Sequence, residues 1–199
     1  MTVESTEKAT TPKPTRILLV RHGVNDYVQK GLLAGRTPGV HLNEEGQKQA
    51  SALAKRLQCE TIAAIYTSPL ERCQETAGPL AACLGLQLRT CDSLKETDCG
   101  SWSGQPLEAL RKMEVWQQVQ FNPSLFRFPD GESMAEIQAR MVTALESLRQ
   151  QHANETIAVI SHSDPIKLAV AYYLGMALDL FQRLEVSPAS ISELDFSPL

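Results

Sequence analysis

The chain has 199 residues, 43% of them hydrophobic and 21% charged, with a formal net charge of -4 and a pI near 5.6. That is enough for one well-buried core and too little for two comfortable domains; the acidic balance excludes the basic face of a nucleic-acid binder while leaving room for a local cationic pocket. No apolar run approaches the roughly 20 residues that span a bilayer, the best candidate lying around Leu168 to Leu178, so no membrane segment is expected.

Residues 1–14 are rich in Thr, Glu and Lys and lack the apolar stretch of a secretory signal, so a disordered N-terminal tail is expected there and one folded domain over 15–199. The five cysteines (Cys59, Cys73, Cys83, Cys91, Cys99) have an odd count and no C-x-x-C pair. They read as reduced thiols of a cytoplasmic protein, with Cys73, Cys83 and Cys99 structural.

Thr15 to Val20 reads as a strand buried on both faces, ending abruptly in Arg21-His22-Gly23. A long Gly-rich connection then runs from Gly23 to His41, and loops of that length in compact domains are commonly functional. Asn43 reads as the N-cap of a helix whose buried stripe is Ala50, Leu53, Ala54 and Leu57. Ile62 to Thr67 is the second strand. Ser68, Pro69 and Glu71 spell a capping box for the next helix, which carries Arg72 in its first turn, buries Leu70, Cys73, Ala77, Leu80 and Leu84, and stops at Gly85.

A short strand over 86–90 leads into Leu94-Lys95-Glu96 and the small-residue loop Gly100-Ser101-Trp102-Ser103-Gly104, anchored by its indole. Pro106 opens a short helix to Met113, and the aromatic, irregular stretch over 115–130 reads as a cap over the core. Ser133 and Glu136 make a second capping box, opening an amphipathic helix with Met134, Ile137, Met141, Leu145 and Leu148 inward. Thr156 to Ile160 is another buried strand, ending in Ser161-His162-Ser163, with Asp164 and Pro165 reading as N-cap and N1 of an apolar helix to Leu174. Segments 181–186 and 190–196 have the lengths and turn residues of an edge hairpin. His41 and His152 read as exposed or structural.

The alternation of strands and helices predicts an α/β fold, a three-layer αβα sandwich around a mostly parallel sheet with an antiparallel edge. In such a sheet, ligands bind where the strands' carboxyl ends meet helix N-termini. Arg21, His22, Arg72 and His162 come to that edge, and the loop after the third strand brings Glu96. Two guanidiniums, two imidazoles and a carboxyl suit a phosphoryl group. The arginines neutralise its oxygens, one imidazole attacks phosphorus and the acid protonates the leaving oxygen.

Leu19-Val20-Arg21-His22-Gly23, Thr67-Ser68-Pro69-Leu70-Glu71-Arg72, the Glu96 loop before Gly100-Ser101-Trp102-Ser103-Gly104, and Ile160-Ser161-His162 together resemble the histidine phosphatase superfamily, the phosphoglycerate mutase-like group. The resemblance implies that His22 becomes the phosphohistidine, that Arg21, Arg72 and His162 bind the phosphoryl group, and that Glu96 is general acid and then base. It implies a metal-independent phosphomonoester phosphatase without a cofactor, acting on a small phosphorylated substrate, with homodimers frequent among relatives. Many members carry Glu-Thr after the glycine and an Asn a few residues later. Here those positions read Val24, Asn25 and Val28, which makes Asn25 a candidate phosphate contact. Arg36 lies in the loop that resembles the family's substrate loop. The alternatives are a cofactor-dependent phosphoglycerate mutase, a class that is longer and carries a larger insertion after the acid loop, and a catalytically inactive phosphate-binding module.

Overall fold

The computed structural model describes residues 13–197; the expected N-terminal tail lies almost wholly outside them. The elements run β1 (Thr15–Arg21), the single turn α1 (Asp26–Gln29), α2 (Glu44–Leu57), β2 (Ile62–Thr67), α3 (Glu71–Leu84), β3 (Leu88–Thr90), the single turn α4 (Leu107–Leu110), α5 (Trp116–Phe121), α6 (Met134–Gln151), β4 (Thr156–Ser161), α7 (Ser163–Tyr173) and β5 (Ile191–Phe196). The sheet order is β3-β2-β4-β1-β5, parallel throughout except for β5, which pairs antiparallel with β1 from Val20↔Ile191 to Thr15↔Phe196.

Strand alternation sorts the central side chains onto two faces, each covered by one helix pair. Leu18, Val20, Ile65, Ala158 and Ile160 pack against α2 and α3, meeting Leu53, Leu57, Cys73 and Leu80. Ile17, Leu19, Tyr66, Ile157 and Val159 pack against α6 and α7, meeting Met141, Leu145 and Ile166. Each fully buried aliphatic side chain in these layers contributes about 1.5–3 kcal/mol of transfer free energy. A third cluster, with Trp102, Val119, Phe126, Phe128 and Phe181, is the cap expected over 115–130. Trp102 stacks on Trp116 with ring centroids 6.2 Å apart and contacts both phenylalanines.

Asn43 caps α2 by accepting from the Gly46 N–H at 2.9 Å, Ser133 and Glu136 form the expected capping box of α6, and Gly85 ends α3 at φ 65°. Three local expectations fail. The box at Ser68 does not form; the N-cap of α3 is Leu70, without a side-chain cap bond, while the Ser68 hydroxyl is drawn to His162 and the Glu71 carboxylate accepts from the Gly39 N–H. Helix α7 starts earlier than Asp164-Pro165 suggests, with His162 itself at the N-cap. Among the described residues, segments 181–186 and 190–196 form no hairpin. Residues Leu178–Arg183 wind into a 3-10 turn because Phe181 is pulled into the cap core, and β5 pairs with β1 instead. All five cysteines are free thiols, and His152 is structural, buried against the Tyr66 hydroxyl at 2.9 Å. Among the described residues no helix is long and apolar enough to cross a membrane.

Candidate active site

The carboxyl ends of β1, β2 and β4 open into a cavity of about 310 Å³. Its lining combines Arg21, His22, Asn25, Arg72, Glu96 and Thr97 with apolar Leu32, Leu33, Val119, Phe128 and Met134 and with polar Arg111, Gln120 and Gln182. The loop leaving β1 is pressed against α2 so closely that a Cβ on Gly23 would lie 2.8 Å from the Gly46 carbonyl oxygen, and one on Gly46 only 2.0 Å from that of Val24. Glycine at both positions is what lets the backbone beside His22 rest directly on a helix.

His22 is buried, and its Nδ1–H donates to the Gly23 carbonyl at 2.7 Å, which fixes the tautomer and leaves Nε2 with the lone pair. Burial, and then the neighbouring Arg72 guanidinium, pull its pKa from the usual 6.5 down to about 3, so the ring is neutral at physiological pH. His162 stands with its ring centroid 5.2 Å from that of His22. Its Nε2 shares a 2.9 Å hydrogen bond with the Ser68 hydroxyl, its Nδ1 lies 3.6 Å from Glu96 Oε2, and burial followed by Arg72 holds its pKa well below the ordinary value. Glu96 behaves oppositely. Burial first and the nearby Asp164 second raise its pKa, which favours the protonated acid.

Arg72 is fully buried in the first turn of α3, where it donates from Nη2 to the Gly35 carbonyl at 2.8 Å; Arg21 donates from Nη1 to the Val186 carbonyl at 2.7 Å. Their remaining donors are the notable ones. Arg21 Nε, Arg72 Nε and Nη1, Asn25 Nδ2 and the Thr97 hydroxyl are buried with no hydrogen-bond partner among the described residues, and all four residues line the cavity. Buried donors left unpaired cost about 1–3 kcal/mol each, and a multivalent oxyanion relieves several at once. The N-terminal turn of α7, with Ser163 on the cavity wall, adds backbone N–H groups at the same edge.

His22, Glu96 and His162 each present one ligand atom within 4.8 Å of the others, a spacing that also suits a metal ion. The rest of the donor set does not fit one. Three arginines, Arg21, Arg72 and Arg111, line the cavity, so a cation would meet positive charge where an anion meets complementary charge.

The fold thus brings together Arg21, His22, Arg72, Glu96, His162 and Asn25. Asn25 caps α1 by accepting from the Val28 N–H at 2.9 Å, and its unpaired amide is left for the cavity. Arg36 is not on the wall. Its guanidinium bonds the Glu96 carbonyl, Asp98 and Glu132. Sequence reasoning misses the polar lining residues Thr97, Arg111, Gln120, Ser163, Asp164 and Gln182. Thr97 and Ser163 each adjoin a motif residue and Asp164 lies two after His162, the one available signal, whereas Gln182 reaches the wall through the unexpected turn over 178–183.

Residues 17–198 match the histidine phosphatase superfamily (branch 1). The chain is similar to phosphoserine phosphatase 1 of Hydrogenobacter thermophilus, with 33% identity over 179 residues that cover 89% of this chain and 84% of that protein. Its fold is similar to that of Bacillus stearothermophilus YhfR (TM-score 0.84, 26% identity, 90% of each chain). It is likewise similar to a phosphoserine phosphatase from Entamoeba histolytica solved with 3-phosphoglyceric acid (TM-score 0.83, 25% identity, 90% of this chain and 89% of that one).

Proposed function

The chain belongs to the histidine phosphatase superfamily, and within it we propose that it is a phosphomonoester phosphatase working through a phosphohistidine at His22. The observation that carries this reading is the state of His22. The imidazole is neutral, held by one nitrogen to the Gly23 carbonyl, and shares its cavity with the unpaired donors of Arg21 and Arg72. A substrate phosphoryl group seated on those donors, with Asn25 and His162 beside them, meets Nε2 as an in-line nucleophile. The P–N bond forms as the bond to the leaving oxygen breaks. Glu96, whose pKa is raised by burial and by Asp164, gives its proton to that oxygen and in the second half-reaction takes one from the water that attacks the phosphohistidine. The positive charge that stabilises the transition state comes from arginine, so no step calls for a metal.

The apolar part of the lining, with Leu32, Leu33, Val119 and Phe128, supports a small organic phosphate with a partly apolar alcohol portion. The experiment is phosphate release from p-nitrophenyl phosphate, phosphoserine, 3-phosphoglycerate and aryl phosphates, with EDTA present, comparing the wild type with His22→Ala. Release that survives EDTA and vanishes in His22→Ala supports the reading. Isomerisation of 3-phosphoglycerate on addition of 2,3-bisphosphoglycerate, without net hydrolysis, would establish a mutase instead, and anion binding without turnover would leave an inactive phosphate-binding module.

A further inference from the structure

Behind Glu96, on the side away from the cavity, two arginines converge on the backbone of the loop that carries it. Arg140, from the second turn of α6, donates from Nη1 to the carbonyls of Ser93 at 2.7 Å and Lys95 at 2.8 Å, and from Nη2 to that of Glu96 at 3.1 Å. Arg36, from the long loop after β1, donates from Nε to the same Glu96 carbonyl at 2.9 Å. Glu132 joins the two guanidiniums. Its Oε1 accepts from Arg140 Nε at 2.8 Å and lies 2.9 Å from Arg36 Nη2; its Oε2 accepts from Arg140 Nη2 and from the Asp98 N–H, both at 3.0 Å. The Arg140 and Glu132 side chains are only 17% and 19% exposed. Arg140 therefore spends its whole planar fork on five acceptor atoms, and Arg140 and Glu132 form a bidentate, largely desolvated pair.

Surface ion pairs are worth little and show no such convergence. Here every bond ends on the loop segment 93–98, which contains the proton donor, or on the group that joins the two arginines. Glu96 itself has one further local tether, its Oε1 accepting from the Thr97 N–H at 2.9 Å. The Gly35 carbonyl, one residue before Arg36, is held by Arg72, so the clamp ties the loop that Arg72 holds to the loop of the acid.

We propose that Arg140, Arg36 and Glu132 form a positioning clamp that fixes the Glu96 carboxyl where it protonates the leaving oxygen. This rests on the reading of Glu96 as general acid, and none of the three touches substrate. Arg140→Lys keeps the charge and loses the fork, while Glu132→Gln keeps the shape and removes the charge that joins the arginines.

A displaced acid is felt when the leaving group is poor and hardly at all when it is good, whereas a general loss of structure affects both. The test is the burst rate of alcohol release, which reports the phosphorylation half-reaction alone, measured on phenyl phosphate and p-nitrophenyl phosphate for the full chain, Arg140→Lys, Glu132→Gln and Glu96→Gln. The clamp predicts that Arg140→Lys and Glu132→Gln each lower the phenyl rate about 10- to 100-fold more than the p-nitrophenyl rate, in the direction of Glu96→Gln. If Glu96→Gln shows that discrimination but the clamp variants lower both rates equally, or neither, the clamp is overturned while the acid stands. If Glu96→Gln shows none, the acid assignment fails and the clamp falls with it. Arg36→Lys is the third variant should either of the others fail to fold.

Discussion

Gly46→Ala is a substitution whose direction runs against helix propensity. In α2 an alanine would ordinarily gain about 0.5–1 kcal/mol over glycine. At this position the new Cβ would stand 2.0 Å from the Val24 carbonyl oxygen. Ordinary contact begins near 3.5 Å, so roughly 1.5 Å of backbone movement is needed. The atom that must move is no flexible side-chain end. The Val24 carbonyl accepts from the Asn43 N–H at 3.2 Å, and Val24 lies two residues after His22. Overpacking of this kind costs about 1–3 kcal/mol, and the strained hydrogen bond adds up to about 1. We expect Gly46→Ala to be destabilised by about 1–3 kcal/mol in urea unfolding at an unchanged m-value. Because a 1 Å misplacement near the chemistry costs about 100-fold, kcat/KM should fall by one to two orders of magnitude. The control is Ser51→Ala on the exposed side of the same helix, where the hydroxyl merely bonds back to the Gln47 carbonyl; a gain of up to about 0.5 kcal/mol with full activity is expected. A Gly46→Ala protein as stable and active as the Ser51→Ala control would refute the claim that this contact sets the position of His22.

Ser68→Ala removes the partner of a buried imidazole and should cost about 1–3 kcal/mol, with a lower kcat that Ser68→Thr partly restores; unfolding curves that overlay the wild type would contradict this. For the pH dependence of stability, His22 titrates at about 3 when folded and near 6.5 when unfolded, so its contribution is complete above pH 6.5 and is lost as pH falls toward 3. The slope approaches about 1.4 kcal/mol per pH unit for that site, and His162 adds in the same direction. Glu96 has the opposite sign, its raised pKa favouring the folded state below about 4.5 and losing that advantage as pH rises. Urea midpoints between pH 7 and 4.5 should therefore fall steeply in the wild type and less steeply in His22→Gln; parallel slopes would place the proton uptake elsewhere. In the burst assay, protonation of His22 should impose no acid limb above about pH 4, while the alkaline limb follows loss of the Glu96 proton and disappears in Glu96→Gln.

The elements legible in the sequence are those where local pattern and tertiary demand agree. The strand segments ending at Arg21, Thr67 and Ser161 are short, branched and apolar because both faces are covered, and the residues at or just after the ends of β1 and β4 bring Arg21, His22 and His162 to one edge, with Arg72 following in the first turn of α3. The misreadings cluster where a side chain serves the site instead of its helix. Ser68 has the identity of an N-cap but gives its hydroxyl to His162, and Asp164 looks like a cap but sits inside the first turn because His162 takes that place. The terminal hairpin fails because burial of Phe181 outweighs its strand pattern. The support behind Glu96 is invisible for another reason. Arg36, Glu132 and Arg140 bond groups as far as 96 residues away in sequence, and nothing local in a surface-like Arg or Glu marks it as half of a long-range pair.

The central claim is a covalent bond between phosphorus and His22 Nε2. The direct measurement is to mix the protein with a turned-over phosphomonoester, quench within the burst, keep the sample alkaline because phosphohistidine is acid-labile, and map the phosphoryl group by peptide mass spectrometry. The account predicts one phosphorylated peptide, containing His22, that forms at the rate of the burst, is absent from His22→Ala, and persists in Glu96→Gln because the water that discharges it lacks its base. Turnover with no phosphopeptide, or a phosphoryl group on any other residue, would contradict it.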